Sequence, residues 1–228
     1  MMHQVSGEWI EKWLTGWSVS RGLPLPEQWQ SGYKVKVGQE TQKERYVFPQ
    51  LNNDFIRLAQ SVDEPWIHLK VCASYEEFRD LIPERWQPQP QGYMMKSSVP
   101  MTTASGCIGT DYSLNVTEHK PDSFIVNIRY RKTEQAAIGR LIIIDGLAVY
   151  DRIRTESNHQ RKGLATLMMK SLESIALSKG ITAGLLVATE QGKPLYESLG
   201  WEMYSVYTSV LIPEVINPLK ESGSNKLK

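Results

Sequence analysis

The stretch NHQRKGLATLMMKSL, residues 158–172, decides how the rest of the chain is interpreted. It places two cations, Arg161 and Lys162, directly before Gly163 and an apolar helical pattern. A helix start normally favours acidic side chains, because its unpaired amides carry partial positive charge. Cations, free amides and a glycine without a side chain together indicate a site for an anion such as a phosphate. The alternative is an ordinary helix start with a solvated basic pair.

The segments on either side of this stretch are typical of a β-α-β unit. Residues 137–155 predict two strands, with Asp145-Gly146 between them as a tight hairpin turn. The helix that begins at Gly163 is expected to end at Gly180. The apolar run GLLVAT, residues 184–189, then predicts a strand that is covered on both faces. A crossover of this kind should be right-handed.

Further short elements extend this unit at both ends. The pattern predicts strands at 112–116 and 124–131, a short helix from Pro194 to Gly200, and a last strand at 201–212. We therefore expect an α/β (α+β) fold with a mixed, mostly antiparallel central sheet and flanking helices.

The first 92 residues predict a smaller set of elements. Three helices are predicted: one with an aromatic stripe at 9–17, one capped by Asn52 or Asn53, and one opened by a Ser74–Glu77 capping box and stopped by Pro83. Three strands are predicted as well: half-exposed strands at 33–37 and 66–71, and a strand at 45–48. The stripe of tryptophans is more typical of packing than of an aromatic cage for a cationic ligand.

The Pro- and Gln-rich segment 87–92 is the best candidate for a linker. This divides the chain into an N-terminal α/β region at 1–92, a main domain at 93–219 and a disordered polar tail at 220–228. The N-terminal region is rich in aromatic residues, and we expect it to act as a lid or to supply part of a substrate pocket.

Composition excludes several classes of function. The chain has 228 residues, 41% of them hydrophobic and 22% charged, with a net charge of +1. Such a balance is typical of an ordinary globular protein and argues against electrostatic binding of nucleic acid or membrane. Cys72 and Cys107 do not form a disulfide framework, and we expect a plain thiol at Cys107. Without a signal peptide pattern or a membrane-spanning run, a cytoplasmic location is expected. The histidines and cysteines lack metal-ligand spacing, so no metal is expected.

Two motifs resemble those of a known superfamily. Gln160-Arg161-Lys162-Gly163-Leu164-Ala165 resembles the Q/R-x-x-G-x-G/A motif of the GNAT superfamily of acyl-CoA-dependent N-acetyltransferases. The segment LYESLGW, residues 195–201, resembles its second signature, a tyrosine followed by a Gly-aromatic pair. The resemblance covers about residues 112–212. The superfamily's usual helical pair between its first two strands is not evident between 116 and 124.

The resemblance implies roles for individual residues. The amides of 161–166 would bind the pyrophosphate of the cofactor, and the strand before them would pair with the pantetheine arm. Tyr196 would be the general acid that protonates the departing thiolate. The residues expected to bind acetyl-CoA are Ile153, Arg154, Thr155, Gln160, Arg161, Lys162, Gly163, Leu164, Ala165 and Thr166.

The attacking amine must be neutral, so a base is also required. We favour Asp151, because on an extended strand Asp151, Ile153 and Thr155 share one face. Glu156 and Glu190 compete for this role, and a salt bridge from Asp151 to a cation is the structural alternative. His159 adjoins the loop and is expected either to touch phosphate or to be solvated.

These observations predict an N-acetyltransferase that moves an acetyl group from acetyl-CoA to a primary amine of a small molecule, by direct attack in a ternary complex. The expected partner is a small-molecule amine, and neither nucleic acid nor a membrane is expected as a partner. Formation of a homodimer is left as an open possibility. The alternatives are a protein or peptide N-acetyltransferase and a non-catalytic acyl-CoA-binding sensor.

Overall fold

The computed structural model describes residues 5–101 and 109–214. The tail at 220–228 and the thiol of Cys107 lie outside these ranges. The helices are α1 (Gly7–Arg21), α2 (Asn53–Ser61), α3 (Leu164–Ser178) and α4 (Lys193–Ser198). The strands are β1 (Glu27–Trp29), β2 (Gly32–Gln39), β3 (Gln42–Phe48), β4 (Ile67–Val71), β5 (Gln87–Pro88), β6 (Gly92–Ser97), β7 (Tyr112–Lys120), β8 (Ser123–Tyr130), β9 (Glu134–Ile144), β10 (Leu147–Thr155), β11 (Gly184–Thr189) and β12 (Glu202–Leu211).

One sheet joins all twelve strands, in the order β1-β2-β3-β4-β12-β6-β11-β10-β9-β8-β7, with β5 paired to β12. Only β3 with β4 and β10 with β11 pair in parallel among the described strands. The C-terminal strand β12 lies between β4 and β6, so it connects the strands of the first 92 residues to the rest of the sheet. The expected mixed, mostly antiparallel α/β fold is confirmed.

The β-α-β unit around the opening stretch has the expected form. Asp145 and Gly146 both have positive φ, 44° and 81°, which is the geometry of a tight hairpin between β9 and β10. Helix α3 buries Leu164, Met168 and other apolar side chains of one face against the sheet. It is followed by Gly180, whose φ of 76° is left-handed and ends the helix.

Two predictions for the first 92 residues differ from the structure. The Ser74–Glu77 capping box is present, but it opens a 3₁₀ turn at Tyr75–Glu77 instead of an α-helix. The reason is Phe78, whose buried ring packs edge-on against Phe55 at 5.0 Å and holds a non-helical backbone. The segment predicted as a linker, 87–92, is paired into the sheet through β5 and the start of β6.

Helix α1 covers one face of the sheet across β9 and β10. It approaches closely at Gly16, where a Cβ would lie 2.7 Å from the side chain of Val149. The tryptophan stripe faces inward, and Trp13 packs edge-on against Tyr207 of β12 at 5.4 Å. The stripe is therefore a packing surface. Strands β7 and β8 are joined by a tight turn, with no helix between them.

His68 gives the fold a predictable response to acid. Burial is the main cause that lowers the pKa of His68 to about 4, and the charge of Lys70 adds to it. Its ring nitrogen Nδ1 is buried without a partner among the described residues. Because an unfolded histidine has a pKa of about 6.5, the unfolded state binds more protons between those two values. We therefore expect the free energy of unfolding to fall as the pH is lowered from about 6.5 to about 4.

Urea unfolding at pH 7 and at pH 4.5 measures this contribution. The His68→Gln variant should lose less stability between the two conditions than the wild type does. His119→Gln is the matched control, because His119 is exposed on β7. An equal loss in the His68 variant and in the wild type would contradict the assignment.

Candidate active site

The sheet opens between β10 and β11. These strands pair in parallel at Ala148 with Gly184 and at Val149 with Leu185, and then separate. Strand β10 continues to Thr155 and β11 continues to Thr189. Beyond the paired residues, each strand presents an edge of backbone amides and carbonyls to the gap. Such edges are available to a ligand that carries its own amide groups.

A β-bulge changes the direction of side chains along β10. The register with β9 shifts between Asp151 and Arg154, and Arg152 has a φ of 54°. Asp151 consequently contacts α1, whereas Ile153 packs on the other face against the core around Met168. The prediction that Asp151 and Ile153 share a face is therefore wrong, since a bulge inserts one residue and inverts the alternation.

His159 anchors the loop that follows β10. Its side chain is buried, with its residue only 3% exposed. Nδ1 lies 2.9 Å from the hydroxyl of Tyr112 and Nε2 lies 3.0 Å from a carboxylate oxygen of Glu134. The hydrogen bond from His159 is the main cause that lowers the pKa of Glu134. The expectation that His159 is solvated is wrong, because the fold brings β7 and β9 against this ring.

The loop from Gln160 to Thr166 has the features of an anion site. The first hydrogen bond of α3 runs from the amide of Leu167 to the carbonyl of Gly163 at 3.0 Å, so the amides before Leu167 lack intrahelical acceptors. Gly163 has a φ of 74°, and a Cβ there would meet nothing within 4 Å. Arg161 and Lys162 are exposed on the same loop. An open, cationic row of free amides fits a diphosphate group.

Burial and hydrogen bonds within the chain position the side chains of this loop. Leu164 is buried, whereas Ala165 and Thr166 are half-buried at the helix start. Gln160 donates from Nε2 to the carbonyl of Thr155 at 3.5 Å, and Lys162 donates to the carbonyl of Asn158 at 3.0 Å. These contacts hold the loop beside the end of β10.

Tyr196 lies in α4, directly after β11. Its residue is 7% exposed, and its hydroxyl makes no hydrogen bond with any residue in the described ranges. Burial, followed by the negative charge of Asp151, raises the pKa of Tyr196 to about 12. The phenol therefore keeps its proton at neutral pH.

A pocket of about 480 Å³ lies at the α1 side of the gap. It is lined by helix α1 and by residues of β3, β4, β10, β11 and β12, which all belong to the one sheet. Its charged lining groups are Arg21, Arg45, Lys70, Asp151 and Glu190. Half of the lining thus comes from the first 92 residues, which sequence reasoning had placed near a substrate.

The carboxylates expected to act as a base have different surroundings. Asp151 forms a salt bridge with Arg21 at 2.9 Å and accepts a hydrogen bond from the hydroxyl of Ser20. This is the salt bridge foreseen as the structural alternative. Glu190 is exposed at the pocket rim and accepts a hydrogen bond from the hydroxyl of Tyr93. Glu156 pairs with Arg154 and does not line this pocket.

Several pocket residues were missed by sequence reasoning, among them Arg45, Lys70 and Tyr207. Lys70 lies on β4, which alternation predicted to be half-exposed, and for Arg45 on β3 the sequence predicted only a strand. The structure places α1 over this part of the sheet, with the ring of Trp17 3.7 Å from the guanidinium carbon of Arg45. The inward-facing tryptophans of α1 were the signal for such a cover.

No three His, Cys, Asp or Glu side chains converge as a metal site within 5–101 and 109–214. Among the helices of the same ranges, none has the length and apolar character required to cross a membrane.

Solved structures resemble this fold over most of its length. A GCN5-related N-acetyltransferase from Kribbella flavida has a TM-score of 0.65 and 14% identity, covering 95% of this chain and 98% of its own. One from Sphaerobacter thermophilus has a TM-score of 0.56 and 9% identity, covering 82% and 78%. A GNAT-family acetyltransferase, described as putative, from Novosphingobium aromaticivorans has a TM-score of 0.53 and 13% identity, covering 88% and 97%. At these identities the likeness concerns the fold.

Sequence comparison gives the family. No curated protein matches the chain significantly. The family model described as Acetyltransferase (GNAT) family matches residues 75–201, which is more than half of the chain. The matched range contains the open gap between β10 and β11, the helix start at Gly163 and Tyr196. The chain therefore belongs to the GNAT family of acetyltransferases and is an acyltransferase.

Proposed function

We propose that the protein transfers an acetyl group from acetyl-CoA to a primary amine of a small molecule, by direct attack in a ternary complex. One observation carries this proposal: residues beside the gap, Asp151 of β10 and 187–190 after the paired part of β11, line the pocket under α1, and β10 leads on to the free helix start at Gly163. A donor held on one side of the sheet opening would thus meet an acceptor held on the other.

The residues proposed to hold acetyl-CoA lie along this gap. The backbone of Ile153 to Thr155 is free toward β11 and suits the amides of a pantetheine arm. The amides of residues 161–166, with the side chains of Arg161 and Lys162, suit the diphosphate. Acetyl-CoA supplies an activated thioester when bound. The chain has to orient it, exclude water and manage protons.

Tyr196 is proposed to protonate the departing sulfur. A phenol with a pKa raised to about 12 stays protonated at neutral pH, and the hydroxyl has no competing partner among the described residues. It lies in α4, the helix that follows β11, and the proposal requires its hydroxyl to reach the gap.

The proton of the attacking amine requires an acceptor in the pocket. Asp151 remains our first proposal, because it lines the pocket and acts electrostatically on Tyr196. Arg21 and Ser20 occupy lone pairs of its carboxylate. Glu190 is the competitor, since it has no cation within salt-bridge distance among the described residues and can pass a proton to solvent.

Two variants separate these carboxylates. If Asp151 is the base, Asp151→Asn should lower kcat about 10²-fold or more and remove the acidic limb of the pH–rate profile. Glu190→Gln should then leave the shape of the profile unchanged. The reverse pattern would assign the base to Glu190. If both variants keep the acidic limb and the kcat of the wild type, neither carboxylate accepts the proton.

The size of the pocket supports a small acceptor. A volume of about 480 Å³ with α1 along one wall suits a small molecule better than a protein segment. A peptide acceptor would require a groove that is open at both ends.

Calorimetry with coenzyme A and a mass-spectrometric screen for acetylated amines test the proposal on the full chain. We expect saturable binding of coenzyme A and transfer to one or more small amines. Binding without transfer to any amine or peptide would favour a non-catalytic sensor. Absence of binding would refute the proposal.

A further inference from the structure

The strongest feature that the proposed reaction does not use is a cluster of cations in the pocket. Arg21, Arg45 and Lys70 line it together with two carboxylates, Asp151 and Glu190. Asp151 is already the counter-ion of Arg21 at 2.9 Å, and Glu190 is exposed at the rim. Neither Arg45 nor Lys70 has a carboxylate within salt-bridge distance in the described part of the chain. This part of the pocket therefore carries an excess of positive charge.

The architecture of the sheet brings these two cations together. Strands β3 and β4 are parallel neighbours, with Arg45 opposite His68 and Val47 opposite Lys70. Side chains of Arg45 and Lys70 consequently project from the same face, toward α1. The neighbouring strand β12 contributes Ser209, whose hydroxyl accepts a hydrogen bond from the Lys70 ammonium at 2.6 Å. The two cations are thus held by regular strands, which makes the cluster rigid.

Burial makes this arrangement unfavourable without a ligand. Desolvation is the main cause that lowers the pKa of Lys70 well below its usual value, and the charges of Arg45 and Arg21 lower it further. Desolvation likewise lowers the pKa of Arg45 to about 10. An anion between the two groups would oppose each of these effects, because opposite charges favour the protonated forms.

Polar atoms around the cluster still have bonding capacity. The buried hydroxyl of Tyr207 and the buried Nε of Arg21 lack hydrogen-bond partners among the described residues. When the side-chain amide of Gln42 is oriented with its oxygen toward Arg45, that oxygen accepts from Nη2 and Nε of Arg45 at 3.1 and 3.0 Å. These two hydrogen bonds fix the guanidinium from one side and do not involve Nη1. Trp17 supports the same guanidinium through its ring.

We propose that the acceptor is an anionic amine, whose carboxylate or phosphate binds between Arg45 and Lys70 while its amino group reaches the gap between β10 and β11. The part concerning the amine rests on the proposed transfer reaction, whereas binding of the anion does not. Guanidinium and ammonium donors suit both kinds of oxyanion, so the experiment has to distinguish them.

Binding of matched ligand pairs to the full chain, without coenzyme A, tests the proposal. Calorimetry would compare linear ω-amino carboxylates, from β-alanine to 6-aminohexanoate, with amino alcohols of the same chain length. Aminoalkyl phosphates form a second arm. We expect at least one anionic ligand to bind about 10-fold or more tightly than its alcohol, and the stronger arm identifies the anion.

Variants of the cluster locate the binding. In Arg45→Gln and Lys70→Met, the affinity for the anionic ligand should fall about 10- to 100-fold, whereas affinity for the amino alcohol should not change. Lys36→Met is the control, because Lys36 is exposed on the opposite face of β2. The Tm of Lys70→Met should equal or exceed that of the wild type, since a desolvated cation has been removed.

The proposal is overturned if anionic and neutral ligands bind equally, if no anionic ligand binds, or if both variants keep the preference. These results do not depend on acetyl transfer. A chain that binds coenzyme A and acetylates neutral amines as readily as anionic ones would keep its proposed function and lose this inference.

Discussion

The Tyr196→Phe variant is expected to bind coenzyme A as tightly as the wild type and to transfer the acetyl group about 10²- to 10⁴-fold more slowly. The substitution removes one hydroxyl and keeps the ring, which packs 6.3 Å from Trp201 in the core. Because this hydroxyl makes no hydrogen bond with the described residues, its removal breaks no contact of the fold. The loss should therefore appear in kcat, since the proton donor acts only during the reaction.

Steady-state kinetics and calorimetry on the same preparation measure the two quantities separately. Tyr75→Phe is the matched control, because Tyr75 packs in a different part of the molecule, against Phe78. Its kcat and its Kd for coenzyme A should equal those of the wild type. A Tyr196 variant with unchanged kcat would exclude this phenol as the acid.

The second large effect is expected at Gly163. Replacement by aspartate should weaken binding of coenzyme A about 10- to 100-fold relative to replacement by asparagine. Both residues tolerate the left-handed backbone that Gly163 adopts, and both have nearly the same size. They differ by one negative charge at the helix start, where the proposed diphosphate would lie. Repulsion between the carboxylate and the phosphates gives the difference.

The pair of variants also separates binding from stability. Aspartate and asparagine are both favourable residues at the start of a helix, so the Tm of the aspartate variant should not be lower than that of the asparagine variant. The difference in Kd between them should decrease at high salt, because exposed charges are screened. Equal affinities of the two variants for coenzyme A would place the diphosphate elsewhere.

Local patterns predicted the part of the fold that contains the gap. The Asp145-Gly146 turn, the helix that begins after Gly163 and the buried strand at 184–189 are each determined by residues close in sequence. Turn chemistry, helix periodicity and a continuous apolar run are local signals, and the parallel pairing of β10 with β11 follows from them. The same signals located the loop with free amides.

Long-range contacts determine what could not be predicted. Asp151 and Ile153 point to opposite faces because of a bulge at Arg152, and nothing in the spacing of strand residues marks that position. His159 is buried by Tyr112 and Glu134, which lie on distant strands. These residues meet only when the sheet is assembled, so a pattern within one segment cannot place them.

The cations of the pocket illustrate a further limit. Alternation along β4 places Lys70 on its polar face, whereas for Arg45 the sequence predicted only that it lies in a strand. A polar face is ordinarily exposed to water, but α1 covers this one with Trp17. Whether a polar face meets solvent or a helix depends on an element that lies more than twenty residues away in sequence.

The position of β12 has a consequence for biosynthesis. This strand follows every other strand within the described residues, yet it lies in the middle of the sheet, between β4 and β6. While the ribosome is still translating the earlier segments, β4 and β6 have no partner between them and expose unpaired backbone edges. Completion of the sheet must therefore wait until β12 has left the exit tunnel. Until then, we expect the nascent chain to bind chaperones that shield such unpaired edges.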